Sequence, residues 1–194
     1  MPLLDRLKTE TRSHHGHTEA LLYAEQLMAA TLTRKELAHL LTIHYRFHQA
    51  LEAAVAAQAG FFAGYDDDLR QKTPWLLADM QQWAITPPEP DTSLFNGWNG
   101  YELLGALYVG EGSMLGGQVI AKALRRTPGL GDAAASLRFF GGYGDQTGPH
   151  WKAFGNYLVS RADGQEETII DAARRAFDLF GKLATELHPV TLHP

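Results

Sequence analysis

The sequence predicts an all-α protein that folds as a single domain. Apolar residues recur at helical spacing along most of the chain, and almost no segment alternates apolar and polar residues as strands do. The 194 residues are enough for one domain with a sizeable core. No repeat, low-complexity run or internal linker divides the chain. We therefore expect one helical domain over residues 1–194, of which 188–194 form a tail.

Composition narrows the possible partners and the compartment. The net charge of -5 argues against a nucleic-acid partner. The absence of cysteine excludes disulfides and thiolate chemistry and agrees with a reducing compartment. The N-terminus lacks the apolar run of a secretory signal, and no stretch approaches the length of a membrane span. We expect a cytoplasmic protein without a membrane span, and its nine histidines leave a metal site open.

Helix signals follow one another along the chain. Residues 3–13 predict an amphipathic helix, and a helical pattern continues to Leu27. Thr33 and Glu36 have the spacing of a capping box, which opens a long helix to about residue 58. The later helices are expected at 66–83, 105–126, 133–140, 149–161 and 165–187. The connections between them are expected at 86–91, 128–132 and 141–148, the last a flexible polar loop.

The segment from Gly105 to Arg126 is the most unusual of these. Both of its ends have a helical pattern, but its middle contains four glycines within eight residues. A glycine costs a helix about 0.5–1 kcal/mol relative to alanine, so the segment indicates a need for bare backbone. A flat ligand, a close helix crossing or a loop would each account for it. The glycines are Gly110, Gly112, Gly116 and Gly117. The apolar stripe expected to be buried is Leu103, Leu107, Leu115, Ile120 and Leu124.

A phosphate-binding turn could also account for the same glycines. Their spacing is Gly-x-Gly-x-x-x-Gly, which is longer than the dinucleotide-binding fingerprint Gly-x-Gly-x-x-Gly. That fingerprint also needs a surrounding strand–helix–strand unit, and no alternating strand pattern lies nearby. The sequence therefore favours a flat ligand, a close helix crossing or a loop over a phosphate-binding turn.

Several side chains are candidates for ligand binding. His14, His15 and His17 lie close together, and their spacing alone prefers none of them. Lys8 and Lys152 are candidate partners for an anionic group, and Lys8 precedes His15 by about two helical turns. The i,i+4 pair His44 and His48 suits a metal by spacing, but no Glu follows His44 as in His-Glu-x-x-His. We expect this pair in the core or at a pocket rim, and Phe177 and Phe180 in the core.

Two separated motifs resemble one known family. The segment Leu7–Glu19 contains Leu-Lys-x-x-Thr-Arg-x-x-His and resembles the proximal helix of heme oxygenases. The segment Tyr108–Gln118, Tyr-Val-Gly-Glu-Gly-Ser-Met-Leu-Gly-Gly-Gln, resembles the distal helix of that family. It is most similar to the bacterial branch associated with bacteriophytochromes, as are the segments 68–79 and 151–154. The resemblance implies a heme-oxygenase-like helical bundle, with heme between the proximal helix and a kinked, glycine-rich distal helix.

The resemblance also assigns roles to particular residues. It implies that His15, not His14 or His17, is the axial ligand of the heme iron. Matching on the distal motif places Ser113 where mammalian-type enzymes have an aspartate, and Met114 where some bacterial relatives have Asn. A second propionate-binding arginine is replaced by Asn156, which leaves Lys152 alone there. The implied heme-binding residues are Lys8, His15, Tyr108, Gly112, Gly116, Gly117, Lys152 and Phe177. The implied catalytic residues are Gly112, Ser113, Gly116 and Gly117.

The implied activity is that of a heme oxygenase. Heme b would be both cofactor and substrate, and ring opening would yield biliverdin, carbon monoxide and ferrous iron. Electrons would come from an external reductant such as ferredoxin or a flavoprotein, and a bacteriophytochrome is a candidate recipient of biliverdin. Two alternatives share the helical scaffold. One is a heme carrier or sensor that leaves the ring intact, and the other is a di-iron oxidase, which needs carboxylates and histidines from several helices.

Overall fold

A computed structural model of the chain describes residues 1–65 and 67–187, and within these ranges all helices and turns belong to one helical domain with no strand. The all-α prediction is confirmed. No helix in the described ranges is long and apolar enough to cross a membrane. The predicted tail at 188–194 lies outside the described residues. The helices are α1 Leu3–Glu10, α2 Arg12–Leu21, α3 Ala24–Ala29, α4 Arg34–Ala56, α5 Asp67–Arg70, α6 Thr73–Gln82, α7 Gly100–Arg126, α8 Gly131–Ala135, α9 Arg138–Gly141, α10 Thr147–Arg161 and α11 Glu166–Glu186.

Three long helices form the centre of the domain. α11 packs along α7 and also contacts α4, which in turn contacts α7. α1 and α2 pack on α11, and α10 packs on α7 beside α1. The shorter helices α6, α8 and α9 cover the other end of α4 and α7. The N-terminal segment is therefore held against the outer side of α11, where its polar face reaches solvent.

The long helix α4 forms as its sequence predicts. The Thr33 hydroxyl accepts a hydrogen bond from the Glu36 N–H, and the Glu36 carboxylate accepts one from the Thr33 N–H. This reciprocal capping satisfies two backbone donors that a helix start otherwise leaves unpaired. All eight residues expected on its apolar face are buried, and they are Leu37, Leu40, Leu41, His44, Phe47, His48, Leu51 and Val55.

The glycine-rich segment is one uninterrupted helix of 27 residues. Asn99 and Glu102 cap its start, and Arg125 and Arg126 lie in its last turn, where cations complement the helix dipole. The interpretations of this segment as a loop or as a phosphate-binding turn are therefore wrong. The predicted buried stripe is also wrong at Leu115, which is 43% exposed, because this side of the helix faces outwards between its packing partners, and Ile120 is only half-buried.

Two other predicted helices are interrupted where the half-buried Glu52 and the buried Asp79 accept hydrogen bonds from backbone N–H groups. Glu52 accepts hydrogen bonds from the N–H groups of Lys72 and Thr73, and the helix expected at 66–83 divides there into α5 and α6. Asp79 accepts hydrogen bonds from the N–H groups of Arg138 and Phe139, so a separate helix, α9, starts where one helix 133–140 was expected.

Two further predictions differ in their bounds. Within the predicted loop 141–148, residues 144–146 form a 3-10 turn and α10 starts at residue 147. The helix expected at 3–13 breaks at residue 11.

The histidine pair of α4 lies in the core, as expected. The rings of His44 and His48 stack with centroids 6.1 Å apart, and His44 also contacts Phe139 and Phe180. Among the described residues, His44 Nδ1 and His48 Nε2 have no hydrogen-bond partner. Burial lowers the pKa of His44 to about 3 and holds the pKa of His48 well below its usual value. Both rings are therefore neutral at physiological pH.

This burial predicts a pH-dependent stability. Unfolded His44 binds a proton near its ordinary pKa of 6.5, whereas the folded protein resists protonation until about 3. Stability is therefore complete above the unfolded pKa and falls as pH decreases below it. In urea titrations at about pH 5 to 6, His44→Leu should reduce the slope of unfolding free energy against pH by about 1 kcal/mol per pH unit. His17→Leu, at an exposed position, should keep the wild-type slope. A wild-type slope in His44→Leu as well would contradict the assignment of this pH dependence to His44.

Candidate functional site

His15 stands at the surface on a buried aromatic ring. Its imidazole contacts the edge of Phe177 of α11, with centroids 5.5 Å apart and an interplanar angle of 89°. The side chain is 56% exposed, and Nδ1 lies 3.4 Å from the Glu19 carboxylate. Thr18 anchors the same helix, since its hydroxyl donates to the Phe177 carbonyl at 3.2 Å. This arrangement holds the ring in place and leaves Nε2 available to a ligand.

The two neighbouring histidines have different surroundings. His14 is half-buried, and its Nδ1 lies 3.4 Å from the Ser13 hydroxyl. His17 is exposed. In the described part of the chain, His15 is the member of this group whose ring packs on a core aromatic residue. Packing and exposure together therefore favour the same histidine as the family motif.

The four closely spaced glycines in the middle of α7 divide into two kinds. A Cβ atom at Gly117 would lie 2.8 Å from the Phe140 carbonyl oxygen, and one at Gly110 would lie 3.2 Å from Leu51. These two glycines permit close packing. A Cβ at Gly116 would meet no atom within 4 Å, and one at Gly112 would meet only the Trp151 ring at 3.9 Å. Close helix crossing thus accounts for two glycines, while the other two leave a bare stretch of backbone.

This open glycine face, formed by Gly112 and Gly116, suits a flat apolar ligand. The two residues are four apart and so lie one turn apart on the same side of α7. Beside them, Leu115 is 43% exposed and Val119 is 63% exposed. α11 packs against both α7 and α2, so the open face and His15 belong to two helices with a common support.

Tyr108 connects this face to the N-terminal helices. It lies one turn before Gly112, and its ring packs on Trp151 of α10 with centroids 5.6 Å apart. Its hydroxyl interacts with the Thr11 side chain between α1 and α2. Burial raises the pKa of Tyr108, and Thr11 partly offsets that rise. Tyr108 therefore brings the ends of three structural elements together.

The two candidate lysines lie near that junction. α1 packs on α10 where Leu4 comes within 2.9 Å of the position a Gly155 Cβ would occupy. Lys8 is one turn from Leu4, and Lys152 follows the Trp151 that contacts Tyr108. Both lysines are exposed. The break at residue 11 means that Lys8 and His15 do not share one straight helix, as their spacing suggested.

Ser113 and Met114, which the resemblance aligns with an aspartate and an asparagine, have separate environments. The Ser113 hydroxyl donates to the Gly110 carbonyl at 2.7 Å, so its proton is used inside the helix. Its oxygen can still accept a hydrogen bond. Met114 is 1% exposed and packs in the core with α4, α6 and α9. It therefore adds no polar group to the open face.

A buried ionic cluster behind α7 was not predicted from the sequence. Glu111 is 1% exposed at its side chain and accepts hydrogen bonds from Arg70 at 2.7 Å and from Lys72. The hydroxyls of Tyr65 and Tyr143 also donate to it, each at 3.2 Å. These donors lie 32 to 46 residues away in sequence, so no local spacing reveals them. The only sequence signal is that Glu111, Arg70 and Lys72 fall in segments that resemble the family.

The cluster satisfies most of its own polar groups. Burial lowers the pKa of Lys72, and the neighbouring Glu111 carboxylate opposes that shift. Lys72 Nζ also donates to the Arg70 carbonyl at 2.6 Å, and Arg70 donates to the His150 carbonyl at 3.3 Å. Burial and Glu111 together raise the pKa of Tyr143 far above its usual value. The cluster therefore fixes the segment around residue 70 and the start of α10 to the helix that carries the open face.

The described residues offer no candidate di-iron centre. Among the side chains that the structure describes, no three His, Asp or Glu are placed to hold a metal ion. The di-iron oxidase alternative needs several such ligands from different helices. It therefore has no candidate site in this part of the chain.

Comparison with known proteins agrees with this fold. The sequence matches the family model described as heme oxygenase over residues 1–186. A protein from Xanthomonas campestris pv. campestris named heme oxygenase is 31% identical over 178 residues, which cover 89% of each chain. The solved structure of heme oxygenase from Leptospira interrogans has a TM-score of 0.79 at 18% identity and covers 96% of this chain and 100% of its own.

A second solved structure has the same fold. Heme oxygenase 2 from Chlamydomonas reinhardtii, solved without heme, has a TM-score of 0.69 at 17% identity and covers 98% of this chain and 99% of its own. The helical domain thus has the same fold as these two heme oxygenase structures. The chain belongs to the heme oxygenase family.

The ionic cluster predicts a large stability effect at one position. Glu111→Gln keeps the shape of the side chain but leaves two buried cations without their anion, which should reduce the unfolding free energy by about 3 kcal/mol or more. Urea denaturation monitored by circular dichroism measures the change. Glu89→Gln, at an exposed position, should stay within about 0.5 kcal/mol of wild type. A similarly small loss at Glu111 would show that the cluster does not stabilise the fold.

Proposed function

We propose that the protein opens heme to biliverdin, with release of carbon monoxide and ferrous iron, using oxygen and electrons from an external donor. The open glycine face at Gly112 and Gly116 carries this proposal, because backbone without side chains lets a flat group approach the helix closely. The heme lies between that face and α2. His15 binds the iron through Nε2, while Glu19 orients its other nitrogen.

The remaining residues fit the chemical parts of heme. The apolar ring contacts Phe177 and the bare backbone of α7, and its propionates reach Lys8 and Lys152, with Tyr108 between them. Two exposed lysines at one end suit two carboxylates at one edge of the ring. Gly117 acts indirectly, because its packing on the Phe140 carbonyl holds the open face in position.

Heme supplies the iron that binds oxygen and the ring that is oxidised, and the protein supplies orientation and proton handling. Water held by backbone groups of α7 delivers the proton. The Ser113 oxygen accepts a hydrogen bond from this water, while its own proton remains on the Gly110 carbonyl. Ser113 therefore assists and does not act as the sole donor. We also propose that α7 is kinked, as the family resemblance implies, because a kink would widen the space between the open glycine face and α2.

The biological setting is proposed on the same basis. Similarity to the bacteriophytochrome-associated branch supports a bacterial, cytoplasmic enzyme that receives electrons from ferredoxin or a flavoprotein. A bacteriophytochrome is the proposed recipient of biliverdin. The alternative of a heme carrier or sensor needs the same histidine and slot but no proton delivery.

One experiment separates the enzyme from the carrier. Purified protein is loaded with hemin in air, with catalase present to remove free peroxide, and a reductant is added. The proposed enzyme converts the heme absorption bands to those of biliverdin and releases carbon monoxide and chelatable ferrous iron. Retention of intact heme after many equivalents of electrons would support the carrier.

The axial ligand is tested by substitution. His15→Ala should abolish the imidazole-ligated spectrum of ferric heme, and added imidazole should restore much of it, because only the nitrogen donor is missing. His14→Ala and His17→Ala serve as matched controls and should keep the wild-type spectrum. If His15→Ala keeps that spectrum while a control loses it, a neighbouring histidine is the ligand.

The two kinds of glycine predict opposite effects on folding. Gly116→Ala should raise the unfolding free energy of the heme-free protein by about 0.5–1 kcal/mol, since the site is open and alanine favours helix. Gly117→Ala should lower it, because the new methyl group would press on the Phe140 carbonyl.

Heme binding completes this comparison. Gly116→Leu should keep the helical circular dichroism spectrum and lose heme affinity, because the leucine side chain would cover the open glycine face. Hemin titration measures the loss. Wild-type heme affinity and turnover in Gly116→Leu would show that the face is merely exposed surface.

A further inference from the structure

The break between α1 and α2 lies between the proposed propionate anchor and the proposed iron ligand. At this break Thr11 has φ −102° and ψ 1°, outside the α-helical region. The backbone hydrogen bonds of α2 start with the one that the His15 N–H donates to the Thr11 carbonyl at 2.9 Å. The geometry of this joint, Glu10 and Thr11, therefore sets where Lys8 lies relative to His15.

One buried hydroxyl holds the joint from the side of α7. Thr11 is 2% exposed, and its Oγ1 donates to the Leu7 carbonyl at 2.7 Å. Tyr108 of α7 lies close to this side chain, since Thr11 partly offsets the rise that burial causes in the Tyr108 pKa, and the Tyr108 ring packs on Trp151. The Thr11 hydroxyl thus links the last turn of α1, the break itself and the helix with the open glycine face.

A second set of contacts holds the joint from the side of α11. Arg174 Nε donates to the Glu10 carbonyl at 3.3 Å, and Nη2 pairs with the Glu10 carboxylate at 2.7 Å. Arg6 pairs with the same carboxylate at 2.7 Å. The Glu10 carbonyl lies before the start of the α2 ladder, so Arg174 supplies the donor that a continuous helix would have provided. Arg174 and Phe177, which supports His15, belong to the same helix.

We propose that the joint at Glu10 and Thr11 fixes the in-plane rotation of bound heme, and so determines which meso carbon lies at the open glycine face. The inference rests on the proposed function. A heme held by its iron at His15 and by a propionate at Lys8 turns about the iron–nitrogen bond until both attachments are satisfied. Moving the joint displaces one attachment relative to the other. Thr11 and Arg174 are therefore positioning residues that act through Lys8 and His15.

The test measures ring orientation without turnover. In the ferric cyanide complex, the paramagnetically shifted proton NMR signals of the heme methyl groups report how the ring is rotated. Thr11→Val removes the hydroxyl and keeps the shape of the side chain. It should bind hemin through His15 but change the methyl pattern, and should shift the ratio of biliverdin isomers about fivefold, the factor typical of one lost hydrogen bond. Thr11→Ser, which keeps the hydroxyl, and Thr9→Val, at an exposed position, should both resemble wild type.

A second variant approaches the joint from the opposite side. Arg174→Gln removes the ion pair with Glu10 and should change the same methyl pattern, whereas Arg125→Gln, at an exposed site on α7, should not. If Thr11→Val does not fold, Arg174→Gln alone tests the proposed role of the joint. Wild-type methyl patterns and isomer ratios in the folded joint variants would overturn the inference alone. Wild-type protein that binds hemin without opening it would overturn the proposed function, while the methyl patterns would still test the joint. Wild-type protein that does not bind hemin would overturn both.

Discussion

The structure depends on how closely α7 can approach its neighbours. At Gly105 a Cβ atom would collide with the Ile169 carbonyl of α11, and at Gly117 one would press on the Phe140 carbonyl of α9. These contacts bring backbone against backbone on two sides of one helix. The same lack of side chains at Gly112 and Gly116 leaves the remaining side bare. The glycines of α7 thus allow close packing of the core and also leave the open glycine face bare. They lower the helix propensity of α7, and tertiary contacts must offset that loss.

Charge provides a second constraint on the same helix. Glu111 lies one residue before the open face, yet its carboxylate is buried among four donors from other segments. A buried carboxylate of this kind tolerates little displacement, because each donor lost leaves a buried polar group unpaired. Its position therefore fixes the rotation of α7 about its own axis, and with it the direction in which Gly112 and Gly116 face. Stability and ligand recognition are coupled through this one turn.

The N-terminal helices meet the site through contacts that are weaker individually. Thr11, Tyr108 and the Glu10–Arg174 pair connect α1 and α2 with α7 and α11. The lysines themselves stay exposed, where an ion pair contributes little unless it is partly desolvated. Precision in this region therefore comes from the buried hydroxyl and backbone contacts, while the lysines supply charge.

The sequence by itself determined the helical class, the capping box of α4, its buried face and the family, because these depend on local periodicity and on motifs within about a dozen residues. Tertiary structure decided which glycines pack and which stay open, since Gly116 and Gly117 are identical in sequence terms and differ only in what lies opposite. It also decided the helix breaks, because Glu52 and Asp79 draw backbone donors from distant segments. The Glu111 cluster and the joint at Thr11 likewise join residues far apart in the chain, and only folding places them together.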